Sequence, residues 1–393
     1  MANHQNKDID VVVYGASGYT GRLVAAYLDK TYGADGAFRW AMAGRNKDKL
    51  AAVRDEIGAP STTPLIIADG DDDASLKAMA AQAKVILTTV GPYQLYGSGL
   101  VEICAETGTD YVDLCGEPGW MRQMIDAHGE KAAASGGRIV FSCGFDSIPF
   151  DLGVNYLQQK AIAETGAPCT EIRGLVRQMK GTFSGGTAAS FKATMAAAFK
   201  DPALVEVLKS PFGLTPGFEG PRQPSGSKPF YDEGLGLWIA PFLMAAINTK
   251  NVHRSNALLS HPYGEDFVYS EMLITGPGNG GEKMAKAVAS DQSLLGDDAP
   301  KPGEGPTKEE RENGLYDVLF IGKTKDGGEL RASVAGDMDP GYGSTSKMIA
   351  EAATCLVRDR TDTAGGIWTP AAAMGDALIE RLTTHAGLTF KYE

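Results

Sequence analysis

VVVYGASGYTGRLVAAYL, residues 11–28, decides how the rest of the chain is read. A short apolar run meets three glycines, Gly15, Gly18 and Gly21, and an amphipathic stretch follows. An apolar strand that stops at a glycine turn and reopens as a helix is the context in which a glycine motif cradles phosphate. The spacing is G-x-x-G-x-x-G rather than G-x-G-x-x-G, yet each glycine keeps a task. Gly15 permits the tight turn, Gly18 lets backbone approach a phosphate, and Gly21 lets the helix pack closely on the strand. Ala16 lies within this cradle. Ser17, Tyr19 and Thr20 add hydroxyls and N–H groups at the helix start, where an anion is favoured.

Outward from that junction, strand-like and helix-like patterns alternate. Strands are expected at 10–14, 38–43, 64–68, 85–90, 111–114 and 138–142, with helices between them at 21–30, 47–57, 74–83, 99–107 and 120–134. Short apolar strands separated by helices predict a parallel, doubly wound sheet, and six strands suffice for a full dinucleotide fold. After residue 150 the rhythm changes to longer strands (170–179, 267–275, 316–323, 329–335) and a few helices. One of these helices starts at Ser184 as a capping residue and runs to 198; helices are also expected over 344–358 and 369–386. Residues 209–236 and 295–313 read as Pro/Gly-rich or charged loops. The expected fold class is α/β. Residues 1–150 read as a Rossmann-type nucleotide-binding domain, 151–340 as a mixed α+β substrate domain, and 341–393 as C-terminal helices, which the family resemblance given below implies pack back on the first.

The second strand addresses the choice of cofactor. An NAD site carries an acid near its end, on the ribose 2′-hydroxyl. Here the strand ends Ala43-Gly44-Arg45, with Lys47 and Lys49 beyond. Arg45 offers a planar fork to a 2′-phosphate, which points to NADPH over NADH. Asp69, after strand three, is a candidate for adenine or its ribose. Val90, Gly91 and Pro92, after strand four, are placed near the nicotinamide ribose, and Tyr93 and Tyr96 near the substrate.

Bulk properties narrow the class. The 393 residues carry a net charge of -12, with 43% hydrophobic and 22% charged side chains. That acidity argues against nucleic acid and anionic membrane surfaces as partners. Five cysteines without a C-x-x-C pair, and histidines without ligand spacing, predict neither disulfides nor a metal, in keeping with a reducing cytoplasm. The longest apolar run, LGLWIAPFLMAAI at 235–247, is too short to span a bilayer. It is a candidate core segment, a lining for a greasy substrate, or a surface that meets lipid. A homodimer is the default expectation for the assembly.

GASGYTG (15–21), AGR (43–45), TTVGPYQLYG (88–97), YVDLCGE (111–117) and CGFDSIPFDLG (143–153) resemble the saccharopine dehydrogenase-like oxidoreductases. KGTFSGGTAASF (180–191), APFLMAAINTKNVHRSNALL (240–259), DPGYGSTSKMIAEAATCL (339–356) and GGIWTPAAAMGDALIERL (365–382) are similar to its trans-acting enoyl reductase branch. The resemblance covers nearly the whole chain. It implies NADP(H) and reduction of a carbon–carbon double bond in a lipid or polyketide intermediate, a small-molecule or carrier-bound acyl substrate. Imine reduction of the saccharopine type needs cations to hold several carboxylates, and no Arg/Lys cluster for that stands out in the second half.

Enoyl reduction needs a hydrogen-bond donor for the thioester oxygen and a proton for the α-carbon. Tyr93 and Asp146 are the catalytic candidates, followed by Tyr96, Ser147 and Cys143. Asp146 also reads as a helix cap. Glu117 is either a ligand-binding acid or a helix-start charge. Ser184, Gly185, Gly186 and Thr187 resemble an anion-friendly helix start. His253 and His261, near Asn256, are candidates to line the cleft, whereas His4 and His128 carry no clear signal. Two further readings stay open: an acyl-phosphate or semialdehyde reductase with Cys143 as nucleophile, and a non-catalytic, nucleotide-binding, lipid-associated protein.

Overall fold

The computed structural model describes residues 7–33, 38–182, 185–291, 293 and 304–393. The expected capping residue Ser184 and the tail histidine His4 lie outside the described residues. The six strands of the first half are β1 (Ile9–Tyr14), β2 (Trp40–Gly44), β3 (Leu65–Ile67), β4 (Ala83–Thr88), β5 (Asp110–Val112) and β6 (Arg138–Val140). The second half supplies β7 (Glu171–Lys180), β8 (Phe230–Asp232), β9 (Leu237–Pro241), β10 (Val268–Gly276), β11 (Leu315–Lys323) and β12 (Glu329–Gly336). β13 (Gly366–Trp368) and β14 (Leu388–Tyr392) close the chain.

Among the described residues the strands form two sheets. The first runs β13-β6-β5-β4-β1-β2-β3, with parallel pairing throughout. β1 is apolar at every position from Val11 to Tyr14 because helices cover both faces of the sheet. Val11 and Val13 pack with Val24, Leu28 and Met348 on one side. Val12 and Tyr14 pack with Leu76, Met79 and Leu100 on the other. The sheet has one strand more than the alternation predicts. β13 comes from near the C-terminus and pairs with β6, Ile367 opposite Ile139. Three residues, the first of them a glycine, are too few for any periodicity to show.

The second sheet runs β14-β12-β11-β7-β10-β9-β8 and is mixed: β7 and β10 are parallel, the other pairs antiparallel. The long helix Ile148–Thr165 joins the two sheets, with Leu152, Val154 and Leu157 in the core it shares with β11. Gly153 gives it room: a Cβ there would stand 2.4 Å from the Phe320 ring.

The apolar run 235–247 is not one element. It splits into β9, a turn, and the start of the helix Ala245–Leu258. Ile239, Ala240 and Phe242 are buried, and Leu243 is exposed. Pro241 ends the strand, since proline has no N–H for the ladder. Among the described residues no helix is long and apolar enough to cross a membrane.

The C-terminal helix Thr345–Arg358 returns to the first sheet, against β1, β4 and β5, and the helix Pro370–Arg381 packs on it and on the helix Ile148–Thr165. Their tie is the fully buried Glu351, which accepts from Tyr27 (2.7 Å), Tyr32 (2.7 Å) and Arg381 Nε (2.9 Å). A second tie is the buried pair Arg138–Asp110, in which Arg138 Nη2 also donates to Leu356 O at 3.0 Å. Removing one partner of such a pair strands a buried charge, at about 3–5 kcal/mol.

Candidate active site

The glycine turn places its residues as the spacing requires. Gly15 has φ 88°, and a Cβ there would stand 2.8 Å from both Thr89 Oγ1 and Val90 Cγ2. The loop after β4 therefore lies directly against the turn after β1. At Gly21 a Cβ would meet Gly15 O at 2.1 Å, so only glycine lets the helix Tyr19–Tyr32 approach this closely. Gly18 is its N-cap and offers no side-chain cap. Among the described residues the amides of Ser17, Tyr19 and Thr20 have no backbone acceptor, whereas Gly15 and Ala16 both donate to Ala43 O. Open amides on a helix N-terminus are the donor set a pyrophosphate needs, so the residues fit a dinucleotide.

The end of β2 lies against the same turn. Gly44 lies beside Ser17, 3.8 Å from its Oγ to a Cβ at Gly44. Arg45 is exposed, and among the described residues no carboxylate pairs with it. Asp69 is half-buried; its Oδ1 accepts from Asp71 N, and its own N–H donates to Ser75. Val90 and Pro92 are half-buried and Gly91 is exposed at the rim.

Tyr93 faces inward. It is 5% exposed, its hydroxyl donates to Thr88 O (3.2 Å) and accepts from Leu114 N (3.0 Å), and its ring lies 5.7 Å from Trp120. Burial raises this phenol well above its ordinary value. Tyr96, one turn on, is 48% exposed. Glu117 holds the same loop. Its buried carboxylate accepts from Tyr93 N, Gln94 N and Gln94 Nε2 (each 2.9 Å) and from Ser190 Oγ (2.8 Å). Next to it opens a cavity of about 210 Å³, lined by Gln94, Glu117, Trp120, Thr194, Ala197 and Leu204.

Asp146 stands on the turn after β6, at the carboxyl end of the first sheet, where ligands of doubly wound sheets bind. That turn starts from Ser142, held at φ 61° by Asp113 Oδ1 on its N–H and by its own Oγ on Cys115 O. Asp146 is half-buried as a residue, but its Oδ1 is sealed from solvent without a partner among the described residues. Burial pushes this carboxyl up to about 7.

The groups facing it come from the second half and were not singled out from the sequence. Glu271 on β10 is buried and feels the Asp146 charge; burial first, then that charge, raises it to about 8. Asn248 Nδ2 donates to Glu271 Oε2 at 2.9 Å, and Asn251 Nδ2 donates to Ser147 Oγ at 2.8 Å. Glu271 Oε1, Asn248 Oδ1 and Asn251 Oδ1 are also buried without a partner among the described residues. Ser255 follows on the same helix face and bonds Asp151, whose other oxygen caps the helix Pro370–Arg381 through Ala371 N (2.8 Å). Asn248, Asn251 and Ser255 at i, i+3, i+7 form a helical stripe, the signal that would have found them. Tyr342 closes the set, with its hydroxyl at Thr187 and its ring 5.1 Å from that of Tyr19.

The other candidates fall away from this cleft. Cys143 is buried with its thiol raised by burial, and its Sγ reaches the backbone oxygens of Val140 (3.5 Å) and Phe141 (3.9 Å). His253 packs on Phe212 (4.6 Å between rings) and is pushed down to about 3 by burial and by Lys250. His261 packs on Phe218, and His128 is buried in its helix. Among the described residues no group of three His, Cys, Asp or Glu could hold a metal.

Residues 11–140 match the family described as the saccharopine dehydrogenase NADP binding domain. A Mycobacterium tuberculosis relative assigned to the trans-acting enoyl reductases is 41% identical over 403 residues, covering 96% of each chain. A trans-acting enoyl reductase of Mycobacterium ulcerans is 38% identical over 404 residues, again 96% of each. Among solved structures, the apo saccharopine dehydrogenase (L-Glu forming) of Saccharomyces cerevisiae shares the fold. It has a TM-score of 0.57 and 14% identity over 98% of this chain and 99% of that one. The chain is thus an NADP-dependent oxidoreductase, and it belongs to the trans-acting enoyl reductase family of saccharopine dehydrogenase-like proteins.

Proposed function

We propose that the protein reduces the carbon–carbon double bond of an α,β-unsaturated acyl thioester, and that Asp146 supplies the proton. The observation that carries this reading is Asp146 at the end of β6, whose Oδ1 is sealed and unpartnered among the described residues and whose carboxyl burial raises to about 7, toward its acid form. When bound, NADPH supplies the hydride that adds to the β-carbon. The π electrons of the double bond move toward the thioester oxygen, and the α-carbon then takes its proton from Asp146. The resulting carboxylate is half-buried and regains a proton from water. Glu271, raised further, keeps its own proton, so the Asp146 carboxylate does not face a second charge.

Tyr93 and Glu117 act as positioning residues in this scheme. The Tyr93 hydroxyl is already used in tying the end of β4 to Leu114, and the Glu117 carboxylate is filled by donors of the same loop. Gly15, Ala16, Ser17, Gly18, Tyr19, Thr20, Gly44, Arg45, Asp69, Val90, Gly91 and Pro92 serve the cofactor. The cavity beside Trp120 and Leu204 suits a short acyl chain, free or on a carrier thiol. The division of labour follows: residues 1–150 hold the cofactor, 151–340 the substrate, and 341–393 close back on the first part.

Two features weigh against the other readings, an amino-acid imine and a cysteine-bound acyl group. The cleft presents carboxyls and amide oxygens, Asp146, Glu271, Asn248 and Asn251, and none of these four is a cation that could hold the carboxylates of a saccharopine-type substrate. Cys143 is too deeply buried, with too high a thiol pKa, to serve as a nucleophile.

The test uses NADPH carrying deuterium at the transferring carbon, with a short 2-enoyl thioester of N-acetylcysteamine. The expected product is the saturated thioester with one deuterium at the β-carbon. Light NADPH in heavy water should instead place deuterium at the α-carbon. Unchanged thioester, with an amino-acid imine reduced in its place, would overturn the reading.

A further inference from the structure

A segment from the second half of the chain sits on the phosphate-binding turn. Tyr19, first residue of the helix behind Gly18, donates its hydroxyl to Pro306 O. Arg311 Nη1 donates to the same Tyr19 hydroxyl at 2.7 Å and to Pro306 O at 2.7 Å. Its guanidinium carbon stands 5.7 Å from the centre of the Tyr19 ring. The approach is close: a Cβ on Gly305 would lie 2.7 Å from that ring. Thr307 and Glu310 form a reciprocal capping box that fixes the short helix Lys308–Glu312, and Asp339 N donates to Arg311 O at 2.9 Å. The Arg311 backbone is therefore fixed by its own short helix and by Asp339, and its side chain by Tyr19 and Pro306.

What Arg311 leaves open is more telling than what it binds. Both of its hydrogen bonds start from Nη1, so among the described residues Nε and Nη2 have no acceptor. No carboxylate pairs with it among the described residues; Asp339 feels its charge but spends its oxygens on Tyr342 N and Gly343 N. A planar cation with a free edge is a phosphate ligand in waiting. The turn beside it must hold two charges of a pyrophosphate in a chain of net charge -12. Nearby Arg22 pairs with Glu56 through Nη1 at 3.3 Å, and Arg45 lies at the end of β2, where a 2′-phosphate belongs.

We infer that Arg311 is a cofactor-binding residue that reaches across from the substrate half of the chain to the pyrophosphate of NADPH. The inference rests on NADP binding alone and holds whatever the substrate proves to be.

Calorimetric titration of the whole protein tests it. A charge-assisted bond of this kind is worth about ten- to hundredfold in Kd. Arg311→Ala should weaken NADPH and NADH by the same factor in that range, because both carry the pyrophosphate. Arg45→Ala, run beside it, should weaken NADPH alone. The cofactor-free protein should still melt in one transition, lowered by no more than about five degrees for the two hydrogen bonds lost. Unchanged affinity for both cofactors would overturn the inference, as would a loss confined to NADPH. If Arg311→Ala did not fold, Arg311→Lys keeps the charge without the fork. A partial loss for both cofactors then supports the inference, and full affinity overturns it.

Discussion

Asn248 Nδ2 donates to Glu271 Oε2 at 2.9 Å, and this bond joins the helix Ala245–Leu258 to β10 beside Asp146. Both residues are buried, so the bond is made where no water replaces it. Asn248→Ala leaves the carboxyl without its donor and should lower unfolding stability by about 1–3 kcal/mol. Urea denaturation at neutral pH measures this. A midpoint equal to the parent's would mean that Glu271 finds its partner elsewhere.

Arg45 should decide between the two nicotinamide cofactors. Its guanidinium is exposed at the end of β2 and unpaired among the described residues, which suits a group that waits for a 2′-phosphate. Arg45→Ala should raise the Kd for NADPH about ten- to hundredfold, the range of a charge-assisted bond, and leave that for NADH unchanged. Fluorescence titration of the reduced cofactors separates the two outcomes. An equal loss for both would move Arg45 away from the 2′ position.

Asp113 predicts a pH dependence of stability. Burial raises its carboxyl to about 7, against the lowering effect of bonds from Cys115 N, Ser142 N and Tyr111. Between about 4, where an unfolded aspartate ionises, and 7, the native protein holds a proton that the unfolded chain has released. This contribution is fully present below pH 4 and is lost as pH rises through 7. Asp113→Asn can keep all three bonds: its oxygen accepts the two backbone N–H groups and its amide donates to the Tyr111 hydroxyl. The variant should therefore gain on the parent between pH 5 and pH 8, in melts followed side by side. A constant difference across that range would show that Asp113 is ionised throughout.

The glycine turn and the first six strands were legible because each rests on local chemistry: apolar runs of strand length, glycines where no Cβ fits, and helices between. β13 was not, because Gly366–Trp368 gains its strand conformation from β6 and not from its own pattern. The site was legible by halves. Asp146 could be placed at a strand end from its motif, but the direction of Tyr93 could not. A single helical turn sends Tyr93 into the core and Tyr96 to the surface, and only packing against Trp120 decides which. The stripe Asn248, Asn251, Ser255 lies just past the apolar run 235–247, in a stretch read for its resemblance. Its meaning depends on β10 and on the turn after β6, which are distant in sequence. Arg311 carried no local signal at all, since its neighbour Tyr19 is at the other end of the chain.

The most direct measurement is the rate of NADPH oxidation with a short 2-enoyl thioester, followed across pH for the parent and for Asp146→Asn. If Asp146 gives the proton, the parent's kcat is level below about 7 and falls about tenfold per pH unit above it, as the acid form is lost. Asp146→Asn should then lose about 10²- to 10⁴-fold in kcat and lack that limb, with NADPH affinity unchanged. Turnover by Asp146→Asn at the parent's rate, with the same fall above pH 7, would contradict the account.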